Sequence, residues 1–284
     1  MIVSHQHFDL NGKIVLERVI FQTPFVVNRE MQDEACLLYN IRGDSHLYSA
    51  LDKQILTDNE CAIMKCGHYF TTHPAKDQQR NSEVIAVHFY PEILKTAFDG
   101  NLPKFFSSPP PPKDNHQIST IQVNAILDNY IQSLLFLFEN PTLITDELIA
   151  LKVKEVILLL LNTNSKEAEK IKTIFSDIFN PVEVSFKEII NKHLFDNLTV
   201  EHLAMLCNMS ISTFKRQFKK VFDENPATYI RHKRVEKAAS MLRSSNESIS
   251  KISYTVGFSD TSNFTKIFKS QFGRSPKDYR ELNS

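Results

Sequence analysis

Tryptophan is absent from this chain of 284 residues, and glycine occurs only six times. That scarcity excludes collagen-like and flexible low-complexity architectures and leaves a globular chain built from regular elements. Cysteine is sparse too, confined to Cys36, Cys61, Cys66 and Cys207. These are too few for a disulfide scaffold and lack metal-ligand spacing, which points to a reduced, intracellular protein. No basic-then-apolar leader opens the chain, and its longest aliphatic run, Ile157 to Leu161, is far too short to cross a bilayer. A cytoplasmic protein without a membrane partner is expected.

Net charge is also zero, which alone would argue against nucleic acid, but its distribution is uneven. Residues 181–284 carry 17 Lys/Arg against 11 Asp/Glu, and residues 1–180 carry 16 against 22. A basic C-terminal block on an acidic N-terminal one is the pattern of a DNA-binding domain joined to something else.

The basic block repeats itself. Phe214, Phe218, Phe222, Pro226 and Tyr229 recur 50 residues later as Phe264, Phe268, Phe272, Pro276 and Tyr279. Ser212 with Ser262, Lys219 with Lys269, and Arg216 with Lys266 follow the same interval. Two copies of one unit are implied. In the first copy Thr199 caps a short helix whose inward side is Leu203, Ala204 and Leu206, and Cys207-Asn208-Met209 forms a turn. Ser210 caps a second helix with Phe214, Phe218, Val221 and Phe222 inward, leaving Ser212, Thr213, Lys215, Arg216 and Lys219 outward. The second copy has Ile249 and Ile252, a turn at Gly257-Phe258, and a helix from Thr261 to Phe272 with Ser262, Asn263, Lys266 and Lys269 outward. A connecting helix over about 227–242 carries Arg231, Lys233, Arg234 and Lys237. Short helix, tight turn and second helix with a basic outer face make a helix-turn-helix, and two in tandem make a DNA reader. Outward Lys and Arg side chains are commonly just solvated charges, and Arg234 can instead pair internally. The repeated Phe residues have core spacing and are not stacking platforms for bases.

Upstream, residues 13–90 read as short strands separated by turn signals, which suggests an antiparallel barrel or sandwich. Ser107-Ser108 and Pro109 to Pro112 read as a stiff extended spacer. Helices are expected over 118–139 and 142–161, broken at Asn140-Pro141 and packed as an antiparallel hairpin. Their apolar positions exceed one stripe, so the barrel or a second copy of the chain must cover the rest. Residues 162–180 read as a partly helical linker with a stripe of Ile171, Ile174, Phe175, Ile178 and Phe179.

The stretch from Ile252 to Arg280 resembles the signature of the AraC/XylS family of bacterial transcription regulators. The matching positions are Gly257-Phe258, Asp260, Ser262, Phe264, Phe268-Lys269, Gly273, Pro276 and Tyr279-Arg280. Ser253 stands where the family usually has Ala, Asn263 where an aromatic is common, and Asn225 is read as replacing the usual Gly in the first copy. The resemblance covers about 182–280. It implies two recognition helices in successive major grooves of double-stranded DNA, with base contacts from Ser212, Thr213, Lys215, Arg216, Ser262, Asn263 and Lys266. Lys219 and Lys269 would touch phosphate.

For the rest of the chain the resemblance implies a cupin-like barrel and a dimerising helical hairpin. Leu56 to His68 resembles the barrel's strand-turn-strand element and is similar to the subgroup governing type III secretion, whose N-terminal domains answer to protein partners. The expected fold is α+β: a cupin-like antiparallel β-barrel plus helical hairpin, then an all-α double helix-turn-helix. The expected division is a regulatory barrel (1–106), a Pro-rich spacer (107–115), a hairpin for homodimerisation (116–161), a linker (162–181) and the DNA-binding domain (182–284).

The expected function is a nucleoid-associated transcription activator that works with RNA polymerase and is controlled through its N-terminal domain by a small molecule or a regulatory protein. No catalytic residue, cofactor or metal is expected. His46, His68, His73 and His88 are scattered rather than arranged as ligands, and a barrel interior lined by Leu47, Ile63 and Val87 reads as a filled core. The alternative is a similar DNA reader fused to an enzymatic module for DNA repair or cupin chemistry. A repair methyltransferase needs a zinc-type cysteine cluster, which this sequence lacks.

Overall fold

The computed structural model describes residues 1–75, 80–107, 116–161, 165–176 and 184–282. They fall into two compact units, Met1–Glu183 and Val184–Ser284. The expected spacer at Pro109 to Pro112, like Ile178 and Phe179, lies outside the described residues.

The described residues of the first unit form ten strands in two antiparallel sheets. The six-stranded sheet runs β1 (Ile2–Leu10), β2 (Lys13–Gln22), β9 (Asn81–Phe89), β4 (Ala35–Arg42), β7 (Glu60–Met64) and β10 (Ile118–Ile121). The four-stranded sheet runs β3 (Phe25–Met31), β8 (Gly67–His73), β5 (Ser45–Tyr48) and β6 (Lys53–Leu56). Alternation assigns two jobs to the larger sheet. On β4, β7 and β9, Cys36, Ala62, Met64 and Ala86 pack with Met31, Leu47, Leu56 and Tyr69 of the smaller sheet. The intervening residues Leu37, Cys61, Ile63, Ile85, Val87 and Phe89 pack on the opposite face with the helices. Strand β9 is therefore buried on both sides, which is why its sequence is an apolar run instead of an alternation.

Among the described residues, helices α1 (Pro91–Ala97), α2 (Ala125–Glu139) and α3 (Asp146–Leu161) cover that second face, together with a fourth further along the chain. The expected helix from Ile118 starts later. Ile118, Ser119, Thr120 and Ile121 pair with β7 instead, since β-branched residues suit a strand, and Asn124 then caps α2 by accepting from the backbone N–H groups of Ile126 and Leu127. Helix α3 likewise begins at Asp146, after a 3-10 turn at Pro141–Leu143. The stretch read as a linker carries α4 (Ser165–Ser176), and its Ile171, Ile174 and Phe175 are buried in the core of the first unit. That apolar stripe needs a partner, and the sheet-and-helix core supplies it.

The second unit is all helical: α5 (Phe186–His193), α6 (Val200–Leu206), α7 (Ile211–Phe222), α8 (Pro226–Ser244), α9 (Ile249–Thr255), α10 (Thr261–Phe272) and α11 (Pro276–Glu281). Thr199 and Ser210 cap α6 and α7 as expected, and Ser248 and Asp260 cap α9 and α10. The repeat is one of geometry as well as sequence. Phe218 meets Tyr229 at 5.5 Å edge-on, and Phe268 meets Tyr279 at 5.3 Å in the same way. Phe214, Phe218, Phe264 and Phe268 are fully buried, in keeping with their core spacing.

Candidate nucleic-acid interface

Each helix-turn-helix presents its second helix to solvent along one face. On α7, Ser212, Lys215, Arg216 and Lys219 are exposed, and on α10, Ser262, Asn263, Lys266 and Lys269 are exposed. Thr213 is the exception, being half-buried. Its hydroxyl accepts a hydrogen bond from Ser210 Oγ at 2.9 Å, while its backbone N–H is capped by the same oxygen. Thr213 thus helps to hold the start of α7 and offers little to a partner.

Lys220 is exposed on the same helix. It joins Lys215, Arg216 and Lys219 in lining an open groove that also includes Asp223, Glu224, Asn225 and Pro226. Helical spacing assigned Lys220 to neither face, and only the groove brings it into the cationic cluster. The two faces differ in charge: α7 carries four cations, whereas α10 carries Lys266 and Lys269.

Two left-handed residues shape the turns. Asn208 has φ 49° and Gly257 has φ 90°. The segment between helices is 207–210 in the first copy and 256–260 in the second, one residue longer. At the ends of α7 and α10 the matched left-handed residues are Asp223 (φ 55°) and Gly273 (φ 73°). The glycine position of the first copy is therefore occupied by Asp223, and not by Asn225 as the sequence suggested. Asn225 instead caps α8.

Arg234 is buried in the middle of α8 and has an internal role. Its Nε donates to Leu194 O at 2.9 Å, its Nη1 to Gly257 O at 2.7 Å, and its Nη2 to the carbonyl oxygens of Asp196 and Leu198. Leu194, Asp196 and Leu198 flank the first helix-turn-helix, and Gly257 is the turn of the second. One guanidinium thus joins both copies.

The first unit holds a cavity of about 320 Å³ between the larger sheet and the β3–β8 half of the smaller one. Leu47, Ile63 and Val87 are core, as expected, but the interior is not filled throughout. Phe21, Val27, Met31, Leu38, Val84 and Ala86 are among its apolar walls, and His5, Glu17, Arg29 and His73 supply polar groups. Behind Glu17 lies a buried ion cluster. His88 bridges Glu17 (3.0 Å) and Glu34 (2.7 Å), and Arg29 reaches the same two carboxylates at 3.1 Å each. Burial opposes the charge on Glu17, but hydrogen bonding and attraction from His88 and Arg29 prevail and bring its pKa down to about 2. Burial likewise opposes the charge on His88, yet the Cys36 thiol and the two carboxylates outweigh it and raise it well above the usual histidine value. Burial, helped by nearby His46, lowers His73 to about 4, so it is neutral at pH 7. Sequence spacing gave no hint of this cluster, because positions on three different strands and a loop are needed to assemble it. Among the described residues no three His, Cys, Asp or Glu side chains are placed to hold a metal ion, and no helix is long and apolar enough to cross a membrane.

These features define a double helix-turn-helix protein with a β-sheet-based N-terminal unit. Comparison with known proteins agrees in both parts: a helix-turn-helix domain family matches 203–282, and the ExsA N-terminal regulatory domain family matches 35–169. The chain belongs to the AraC/XylS family. Similar curated proteins include the regulator AlkR of Acinetobacter baylyi, 40% identical over 29% of this chain and 27% of that one. Another is the MmsAB operon regulatory protein of Pseudomonas aeruginosa, 32% identical over 32% of this chain and 30% of that one. The match thus spans less than a third of either relative's length. Among solved structures, fatty acid-bound ToxT from Vibrio cholerae aligns over 98% of both chains at 12% identity, with a TM-score of 0.40. The relatives named here are transcription regulators, not enzymes.

Proposed function

We propose that this protein is a sequence-specific transcription regulator that reads two successive major grooves of double-stranded DNA with α7 and α10. The observation that carries the reading is the pair of matched, exposed basic faces on helices whose Phe residues are buried behind them, with the two copies joined through Arg234. Arg216 has the donor fork to recognise guanine O6 and N7, and Lys266 occupies the matching place in the second copy. Lys215, Ser212, Ser262 and Asn263 complete the base-reading faces. Lys219, Lys220 and Lys269 contact phosphate, which positions the helices without specifying sequence.

The match of 35–169 to a regulatory domain supports control of DNA binding through the first unit, by a small molecule or a protein. Exposed Ile126 and Phe136 on α2, and Leu151 and Leu158 on α3, support homodimerisation through the hairpin. An activating role is supported by the resemblance of the reader to the transcriptional activator RhaS of Escherichia coli, 33% identical over 92 residues.

The test is to incubate the full-length protein with sheared genomic DNA of its host and sequence the retained fragments. Enrichment of one motif spanning two major-groove turns is expected. Retention unchanged by combined Arg216→Ala and Lys266→Ala substitution would overturn the assigned reading face.

A further inference from the structure

We propose that the cavity between the sheets is a binding site for a small, uncharged, largely apolar molecule. The proposal rests on the reading of Met1–Glu183 as the regulatory unit and names the chemistry of what that unit would receive.

Size is the first argument. At about 320 Å³ the space falls within the range of small-molecule sites and far exceeds the voids of a well-packed interior. Large apolar side chains already surround it, so a sequence selected only for packing has ready means to fill it. Access is the second argument. Ile2 and Val26 line the cavity and are 52% and 42% exposed, so the space reaches the surface past them.

Charge sets the ligand class. Among the described lining residues Arg29 is the one Lys or Arg side chain, and both of its Nη atoms are already held, by Glu17 and by Glu34. An incoming carboxylate or phosphate would have to displace one of two ionised neighbours and then sit beside the other. A cation fares no better. Glu17 is the one carboxylate among the described lining residues, and its Oε2 accepts from His88 and Arg29 while its Oε1 lies 2.8 Å from His5 Nε2. His73, at another part of the wall, stacks on Phe21 at 4.4 Å and is held by Ser45 and Ser82. The polar groups therefore neutralise one another. What they leave for a ligand is hydrogen bonding, beside a wall of Phe, Val, Leu and Met that rewards apolar area.

The experiment titrates the full-length protein with two dyes that share one skeleton. N-phenyl-1-naphthylamine is uncharged, and 8-anilino-1-naphthalenesulfonate adds a sulfonate. Saturable fluorescence from one uncharged dye per chain is expected, with the sulfonate dye weaker by roughly tenfold or more because its charge finds no free partner. Val27→Trp, from a half-buried lining position on β3, is expected to weaken the uncharged dye by roughly tenfold through loss of volume, while cooperative thermal unfolding is retained. Thr71→Phe, on the neighbouring strand β8, narrows the cavity from a second position and decides the matter if the first variant does not fold. Uncharged-dye binding that neither folded variant weakens, or sulfonate binding as tight as that of the uncharged dye, would overturn the proposal. DNA retention measured with and without the uncharged dye keeps the two readings apart: dye bound at the cavity with no change in retention removes the regulatory role and leaves the site standing.

Discussion

Arg234 Nη1 donates to the carbonyl oxygen of Gly257 at 2.7 Å, joining the middle of the connecting helix to the turn of the second helix-turn-helix. The same side chain also serves three carbonyls beside the first copy. Arg234→Met keeps most of the apolar stem but leaves these acceptors without their donor. We expect a loss of about 2–4 kcal/mol, since removing one partner of a buried charged hydrogen-bond network exposes the full desolvation cost of the others. Urea unfolding of wild type and variant measures it.

Gly257 faces a tighter constraint. A Cβ built there would lie 2.6 Å from Phe195 O and 2.9 Å from Arg234 Cζ, at a φ of +90° that side chains rarely adopt. Gly257→Ala is expected to destabilise by roughly 2–3 kcal/mol through contact and backbone strain together. Thermal unfolding should show it, whereas Gly273→Ala, with nothing within 4 Å of its Cβ, should cost less.

The unequal charge of the reading helices predicts unequal salt effects. Lys219→Ala and Lys220→Ala are each expected to weaken binding to all sequences alike and to reduce the log–log salt slope by about 1. Arg216→Ala should cost about 1–3 kcal/mol on the preferred site and relax sequence preference in that half. Fluorescence anisotropy at several salt concentrations separates the two behaviours.

Leu151 and Leu158 stand seven residues apart on α3, hence on one face, at 59% and 43% exposure. If the hairpin dimerises, Leu151→Glu introduces an unpaired charge into the interface and should yield a monomer at micromolar concentration. Sedimentation velocity of the full chain decides it, and an unchanged species would remove this face from the assembly.

The ion cluster of the first unit makes stability depend on pH in two directions. Glu17, lowered from 4.5 to about 2 in the folded chain, contributes stability that is present above pH 4.5 and lost as pH falls toward 2. His88, raised in the folded chain, contributes stability that is present below its ordinary 6.5 and lost as pH rises toward its folded pKa. Glu17→Gln is expected to cost roughly 3 kcal/mol near neutral pH and to flatten the acid limb. Denaturant unfolding at a series of pH values tests both.

The two units were legible to different degrees. In the second, Thr199 and Ser210 marked caps and Phe214, Phe218, Phe264 and Phe268 marked buried faces correctly, because capping and 3.6-residue periodicity act within a few residues. Val221, expected inward at the end of α7, is instead 39% exposed. In the first, β1 lies ahead of the stretch expected to hold strands: it runs Ser4-His5-Gln6-His7 with no apolar position between, at a mostly exposed sheet edge. Ile118 to Ile121 reads equally well as the opening of a helix, and pairing with β7 is what makes it a strand.

The tandem helix-turn-helix was legible in the chain alone, since its repeat, its helix caps and its basic faces are local patterns. Tertiary structure alone decided that Arg234 is a strut and not a DNA contact, that Asp223 takes the place of a glycine, and that Glu17, Arg29, Glu34 and His88 meet beside a cavity. Those outcomes depend on strand register and on which carbonyls lie within reach of one side chain. Such distances are set by residues far apart in the chain, and no local spacing encodes them.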